Sequence, residues 1–544
     1  MRLRGLPHVA LLCMLAVPAP LFAAPKPEKP DKEAPGLIVR MRSIDGLLSD
    51  FDYLAKLVGK EEEATQARKM LENRVGKDGL AGIDTKRPIG FYGTVGPAVV
   101  DSTAVALIPV ADEKAVLGLL ENLNMKAEKD DDGVYTVQPE GSPAPVFFRF
   151  ANKYAYVTAQ NKGSIDKDKL LDPAVIFPKG DTAMLSVVGR IDQIPKGLKQ
   201  AFIASLEEQM AKARDEKLTG DTEAQKTFQK QILEGMEDLV KSLTLEGGAV
   251  EFHIDLNRKT EEFVIELSLA GVEDSKLSGS IKRLGDVQSL FGGLPGKDSA
   301  MSGLIHFSLP DKIRQAMEPV LDEAVKKELE KETDKTKREE AEKAVAALMP
   351  SLKSGELDAV LDVRGPSSDN QYTAIIGVKI KEGDAIAKLA RKAIDSLPES
   401  ERKKIKLDVA KAGDVAIHQL DLTADLDAEA KALFGDKPAY LAIRKDAILL
   451  TMGPDALNAM KGAIALKPQK GKAISFEMSM ARMAPLMEKE SPGATKIAEE
   501  AFGKLKDADK LRLTLEGGDS VKLRLSMKTQ IIKFGVLMDE AKKK

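Results

Sequence analysis

The sequence predicts an α+β protein built as a tandem duplication of two domains, each a curved antiparallel sheet with helices packed on one face. Three observations predict it. Segments such as Val250 to Leu256 alternate strictly between apolar and polar residues and are joined by short polar turns, the signature of half-buried antiparallel strands. Longer segments with apolar residues at helical spacing lie between them. Strand and helix patterns then recur in the same order some 270 residues further on, and TLEGG itself is written twice, at 244–248 and 514–518.

Residues 1–23 read as a secretory signal peptide. Arg2 and Arg4 precede a short apolar run from Val9 to Val17, and small residues follow at Ala23 and Ala24. That run is about half the roughly 20 residues of a spanning helix, so the reading is a cleaved signal and no transmembrane span. Cleavage after Ala23 is preferred, because a cut after Ala24 would leave Pro25 next to the scissile bond. Cys13 sits inside the greasy core without the small residues of a lipidation site ahead of it. The mature chain is therefore cysteine-free and holds together by packing rather than by disulfides. Residues 24–35, APKPEKPDKEAP, read as an extended tether.

The first domain is expected over 36–295. A strand at GLIVR leads into a helix with Leu47, Leu48, Phe51, Leu54, Leu57 and Val58 on one face. VALIPVADEKAVLGLL reads as strand, break and amphipathic helix, and FANKYAYVTA follows as further strand. A helix from Leu198 to Met210 breaks at LTGD, and Thr222 with Gln225 forms a capping box for a second helix. VEFHIDL, the turn NRKT and EEFVIELSL make a hairpin. LFGGLPGKDSA, residues 290–300, concentrates glycine and proline and marks the boundary.

The second domain, expected over 300–538, repeats this plan. GLIHFSLPDK answers GLIVRMRSID at an offset of 267, IRKDAILLTM answers FANKYAYVTA at 293, and KGKAISFEMSMAR answers KGDTAMLSVVGRI at 291. The long charged stretch from Lys326 to Leu348 alternates in sign and suits a solvated helix laced by i,i+4 pairs. The two TLEGG copies differ in phase. Gly517-Gly518 reads as the hairpin turn before VKLRLSM, whereas Gly247-Gly248 reads as a bend early in a strand whose turn is NRKT.

Composition narrows the function. With 82 basic and 85 acidic residues, net charge near −3 offers no field for nucleic acid. No tryptophan and 4% aromatics argue against carbohydrate platforms. The histidines beyond the signal are His253, His306 and His418, none at metal-ligand spacing; His253 and His418 read as polar or half-exposed strand residues. Gly296-Lys297 lacks the earlier glycine and the hydroxyl residue of a phosphate loop. GFYGTVGP, residues 90–97, reads as a flexible turn. Asp130 to Gly133 reads as a solvated hairpin turn rather than a calcium loop. Ser164-x-x-Lys167 and Ser400-x-x-Lys403 lack the companion motifs of penicillin-recognising enzymes. No catalytic, cofactor-binding or metal-binding residue is nominated, and no cofactor is expected.

The signal peptide, GLIVRMRSIDGLL, VALIPVADEKAVLGLLENL with its following GVYTV, and FRFANKYAYVTAQN resemble uncharacterised exported proteins of planctomycete-type bacteria. The resemblance implies a periplasmic or secreted location and a duplicated α+β fold, and supplies no activity. The expected function is a non-enzymatic envelope module binding a partner protein or apolar ligand, with Met-rich FEMSMARMAPLM as adaptable apolar surface or core. The alternatives are a hydrolase with a carboxylate site in an interdomain cleft and a structural envelope scaffold.

Overall fold

A computed structural model of the chain describes residues 35–75, 80–96, 102–122, 125–139, 144–159, 161–216, 222–503 and 507–543. The export signal, nearly all of the tether and the LTGD break lie outside the described residues. In the first half the strands are β1 (Leu37–Met41), β2 (Ile89–Thr94), β3 (Thr103–Pro109), β4 (Glu128–Lys129), β5 (Tyr135–Val137), β6 (Val146–Ala151), β7 (Tyr154–Thr158), β8 (Leu185–Arg190), β9 (Gly247–Asn257) and β10 (Glu262–Gly271). In the second half they are β11 (Gln288–Ser289), β12 (Ser299–Ser308), β13 (Glu356–Arg364), β14 (Thr373–Lys379), β15 (Ile405–Ala412), β16 (Val415–Leu420), β17 (Ala439–Arg444), β18 (Ala447–Met452), β19 (Gln469–Lys470), β20 (Ile474–Ser479), β21 (Lys510–Glu516) and β22 (Val521–Lys528).

Apart from the small β11–β19 pair, every described strand joins one antiparallel sheet. Its spatial order begins at one edge with β4-β5-β6-β7-β3-β2-β1-β8-β9-β10. It continues from β22 through β21-β20-β12-β13-β14-β18-β17-β16 to the other edge at β15. Followed inward from either edge, the two halves visit their strands in the same sequential pattern. They meet where β10 pairs with β22, Ile265 standing opposite Leu525 and Glu266 opposite Arg524. So the sequence-level boundary is not a break in the sheet, because an edge strand from each half supplies the ladder partner the other needs.

The helices fall at matching places. After β1 come α1 (Ile44–Leu57) and α2 (Glu61–Val75), and after β3 comes α3 (Glu113–Asn122). After β7 comes the short α4 (Pro173–Ile176), and after β8 come α5 (Lys196–Glu216) and α6 (Glu223–Glu246). After β10 comes α7 (Lys276–Gly285). The second half has α8 (Asp311–Glu330) and α9 (Lys335–Leu352) after β12, and α10 (Gly383–Asp395) with a single turn, α11 (Glu399–Arg402), after β14. Next are α12 (Ala428–Phe434) between β16 and β17, α13 (Ala456–Ile464) after β18, and α14 (Met480–Met487) with α15 (Ala494–Phe502) after β20. The last helix is α16 (Thr529–Lys543), after β22. Thr222 caps α6 by accepting the Gln225 N–H, as its spacing predicts. The charged stretch is two helices, because Asp334 caps a fresh start by accepting the N–H groups of Thr336 and Lys337. α6 reaches from the first half to the second: Thr222 donates to Glu323 of α8 at 2.6 Å, and Gly235 leaves room for Ile313.

The helices do not keep to one face of the sheet. α3 packs through Val116 on Ala155 and Val157, and α7 packs through Leu277 and Ile281 on Leu269 and Val250. α13 covers the opposite face, where Ala459, Met460 and Ala463 meet Leu449 and Ala442. In the first half the strand explains it: TAVALIP of β3 is a continuous apolar run, the mark of a strand covered on both sides, whereas TAIIGVK of β14 buries one face and leaves Ile376 and Val378 of the other exposed. GFYGT is likewise no loose turn but β2, hydrogen-bonded to β1 and β3. Gly90 is required there, since a Cβ would stand 2.5 Å from the Phe177 ring.

LFGGLPGKDSA is also more than a linker. Leu290, Phe291 and Leu294 are buried in the core of the second half. Two buried aspartates of β13 hold this segment down. Asp358 accepts the Ser289 hydroxyl and the Leu290 N–H, both at 2.7 Å, and Asp362 accepts the Ser299 hydroxyl at 2.6 Å. The TLEGG copies differ in role: Glu246 ends α6 and Gly247 opens β9, while Glu516 ends β21 and Gly517-Gly518 turn toward β22. Glu246 is thus a helix-end rather than a strand-end carboxylate, and it accepts the Leu277 N–H in the first turn of α7 at 2.8 Å.

Candidate binding surfaces

Because side chains alternate across a strand, residues paired directly opposite one another share a face. One such row crosses the sheet from β5 to β17, passing from Tyr135 through Val157, Phe91, Val187, Leu267, Leu515, Ile305 and Val378 to Ile443. Every member is apolar or aromatic. The neighbouring rows add Ile254, Ile265, Leu525 and Leu513 at the centre, and Leu361, Ile376 and Leu450 in the second half. Few of these residues are fully buried. Leu361, Ile376 and Val378, adjacent on β13 and β14, remain 37%, 41% and 38% exposed.

The other face is divided. Its outer parts are true core: Ile38, Tyr92, Leu107 and Tyr156 in the first half, and Leu304, Val360, Ile375 and Leu449 in the second. Its centre is charged. Glu266 meets Arg524 across the β10–β22 ladder at 3.0 Å, and Glu477 meets Arg512 and Lys510, each at 2.7 Å. Burial pushes the Glu477 carboxyl up, but those two cations outweigh it and hold the group below its usual range. These are neutralised pairs on a half-exposed sheet face.

Two depressions open on the surface. One, of ≈330 Å³, lies where the α7 end meets the β21–β22 turn and is lined by Lys282, Asp286, Lys470, Glu516 and Asp519. Its carboxylates face lysines, Asp286 with Lys470 at 3.6 Å and Glu516 with Lys472 at 3.5 Å. The other, of ≈590 Å³, lies in the first half among the end of β1, the turn before β2, the β6–β7 hairpin and α4, and is rimmed by Arg40, Arg42, Lys86 and Arg87. None of these four cations stands out in the sequence, since they come from segments far apart that fold to one corner.

His253 is half-exposed beside Glu251, at 3.2 Å. His418, read from the sequence as polar or half-exposed, is buried; its Nδ1 accepts the Asp408 N–H at 3.1 Å. His306 is buried between Asp358 and Glu356, 3.4 Å and 3.9 Å away. Asp358 takes its hydroxyl bond from Ser289, so the serine contacts the acid rather than the imidazole, and no base-activated nucleophile results. Among the described residues, no three His, Cys, Asp or Glu side chains gather as a metal ion would require, and no helix is long and apolar enough to cross a membrane. Asp130 organises a hairpin turn, accepting the Val134 N–H and pairing with Lys162. Ser164 is buried and Lys167 exposed, while Lys403 pairs with Glu399, so neither Ser-x-x-Lys motif forms a dyad. No family description, curated protein or solved structure matches the chain.

Proposed function

We propose that the protein is an exported, non-enzymatic binding module of the cell envelope, and that its open apolar sheet face takes up a long hydrocarbon chain. The observation that carries the reading is the part of the apolar row that α3 and α7 leave uncovered, with Leu361, Ile376 and Val378 partly in water. Apolar surface on this scale is costly unless something covers it. The chemistry of the face favours hydrocarbon over an extended polypeptide. A peptide brings backbone N–H and C=O groups that need partners, whereas the strands beneath have committed theirs to the sheet ladders. A hydrocarbon chain makes no such demand. Duplication of one ancestral unit accounts for the shared strand order and helix positions, and it doubles the length of such a face. The amino-terminal signal accounts for an envelope location.

Displacement of a fluorescent long-chain fatty acid such as parinaric acid tests the reading. Saturable binding is expected, and Ile376→Lys, at a position exposed enough to tolerate the change, is expected to weaken it by about tenfold or more. Equal binding by both proteins would sink the assignment of this face.

A further inference from the structure

We propose that Gly303 makes a socket in the apolar sheet face, and that this socket selects methyl-branched over straight hydrocarbon chains. The selection rests on the hydrocarbon reading of the face and adds a preference to it. Gly303 lies near the middle of β12, directly opposite Phe476 of β20 on one side and Leu361 of β13 on the other. The row they belong to runs from Leu185 on β8 to Leu441 on β17, and every other member is Leu, Ile or Phe. Along β12 the nearest side chains on the same face are Met301 and Ile305. One side chain is therefore missing from an apolar surface, and four apolar side chains wall the gap.

The fold does not require this glycine. Glycine in a strand interior usually marks a bulge or the close approach of another backbone. Here both ladders keep register from Met301 to Ile305, the backbone is outside the left-handed region, and a Cβ would meet nothing within 4 Å. Every other strand glycine among the described residues has a protein atom within 4 Å of that position, as Gly377 has the Phe291 ring at 2.7 Å. Leu361, on the rim of the gap, is 37% exposed. A glycine here gives up strand stability and packing area with no structural return. A straight polymethylene chain lying on the face would bridge the hollow and forgo the dispersion contacts beneath it. A methyl branch fills it, which is worth about fourfold in affinity for each methyl buried.

Displacement of parinaric acid by hexadecanoate and by its tetramethyl derivative, phytanate, tests the socket in the full chain and in Gly303→Leu. The extra methyls of phytanate raise its affinity for any apolar surface. The measure is therefore the phytanate-to-hexadecanoate affinity ratio in one protein against that ratio in the other. It is expected to fall about fourfold in Gly303→Leu, through weaker phytanate binding, with hexadecanoate binding kept. Gly303→Ala, which adds one carbon where nothing stands within 4 Å, is expected to lower the ratio part of the way. Both variants should melt no lower than the parent, since each replaces a strand glycine at an open position. An unchanged ratio in both variants overturns the socket and leaves hydrocarbon binding standing. Binding of none of the three acids by the parent chain overturns both.

Discussion

His418 shows how one buried side chain ties local strain to pH. Asp408 sits in the left-handed region, φ 55°, within an irregular stretch where the β15–β16 register shifts between Lys406 and Ala410. A non-glycine residue tolerates that conformation only when its surroundings hold it. The Asp408 N–H donates to His418 Nδ1, and its carboxylate is bound by Arg391. Nδ1 can accept that bond only while unprotonated, which leaves the proton on Nε2. Burial lowers the His418 pKa, and the Arg391 charge lowers it further, against a smaller opposing pull from Asp408. With the folded value below the unfolded 6.5, the associated stability is complete above pH 6.5. It is lost as pH falls from there through the folded value. Urea denaturation at pH 7.5, 6.5 and 5.5 should therefore show stability falling with pH, by at most about 1.4 kcal/mol per unit for one proton. His418→Asn keeps an acceptor and removes the titration, so it should flatten this part of the profile. An unchanged slope in the variant would show that the Asp408 turn is not what the imidazole supports.

At the level of elements, what the sequence made legible was whatever rests on local pattern. The β9–β10 hairpin forms around NRKT, with Val250, Phe252, Ile254 and Leu256 facing Leu269, Leu267, Ile265 and Phe263 as alternation requires. The Thr222 cap and the break between α14 and α15 also follow from near neighbours. What was not legible depends on partners distant in the chain. Nothing in LFGGLPGKDSA announces that Asp358 and Asp362, more than sixty residues on, will hold it in a core. Nor do RMR, KRP and NKY each suggest a shared basic corner. The packing of α7 on the β21–β22 turn is another such meeting, and it depends on two glycines. A Cβ at Gly517 would stand 2.4 Å from the Ile281 carbonyl oxygen and 2.5 Å from the Gly285 nitrogen, both backbone atoms with little room to move. Gly517→Ala should thus cost about 1–3 kcal/mol, the usual range for overpacking. Gly413→Ala is not an adequate control, because φ 57° strains it independently, whereas Gly535→Ala meets nothing within 4 Å. Equal denaturation midpoints for Gly517→Ala and Gly535→Ala would refute the close approach.

Across the whole molecule, the question is how two halves with separate cores behave as one body. The described sheet faces are partly uncovered, and several contacts join the halves. They include the ladder from Glu262–Lys528 to Leu269–Val521, the contact of α6 with α8, the packing of α7 on the β21–β22 turn, and the meeting of α1 with α16, where Tyr53 and Thr529 share a hydrogen bond of 2.8 Å and Lys60 pairs with Glu540 at 3.1 Å. In the ladder, Ile265 and Leu525 sit on the apolar face while Glu266 and Arg524 sit on the charged one, so a one-residue slip would exchange the faces of an entire half. The Glu266–Arg524 pair reports that register directly, because no other alignment sets the two side chains opposite. A double-mutant cycle of Glu266→Gln and Arg524→Gln should give a coupling of about 0.5 kcal/mol, within the range for half-exposed cross-strand pairs. The coupling should shrink as salt is raised to 1 M. Each single variant should also shift one common unfolding transition, followed both by far-ultraviolet circular dichroism and by tyrosine fluorescence. That last expectation separates a continuous sheet from two domains merely tethered side by side. Five of the seven tyrosines lie in the first half, Tyr53, Tyr92, Tyr135, Tyr154 and Tyr156, against Tyr372 and Tyr440 in the second. Independent halves would make fluorescence follow mainly the first of two transitions or the second, while circular dichroism followed both. Coincident curves together with non-zero coupling are what the β10–β22 ladder requires; separate curves with zero coupling would place the two halves apart in solution.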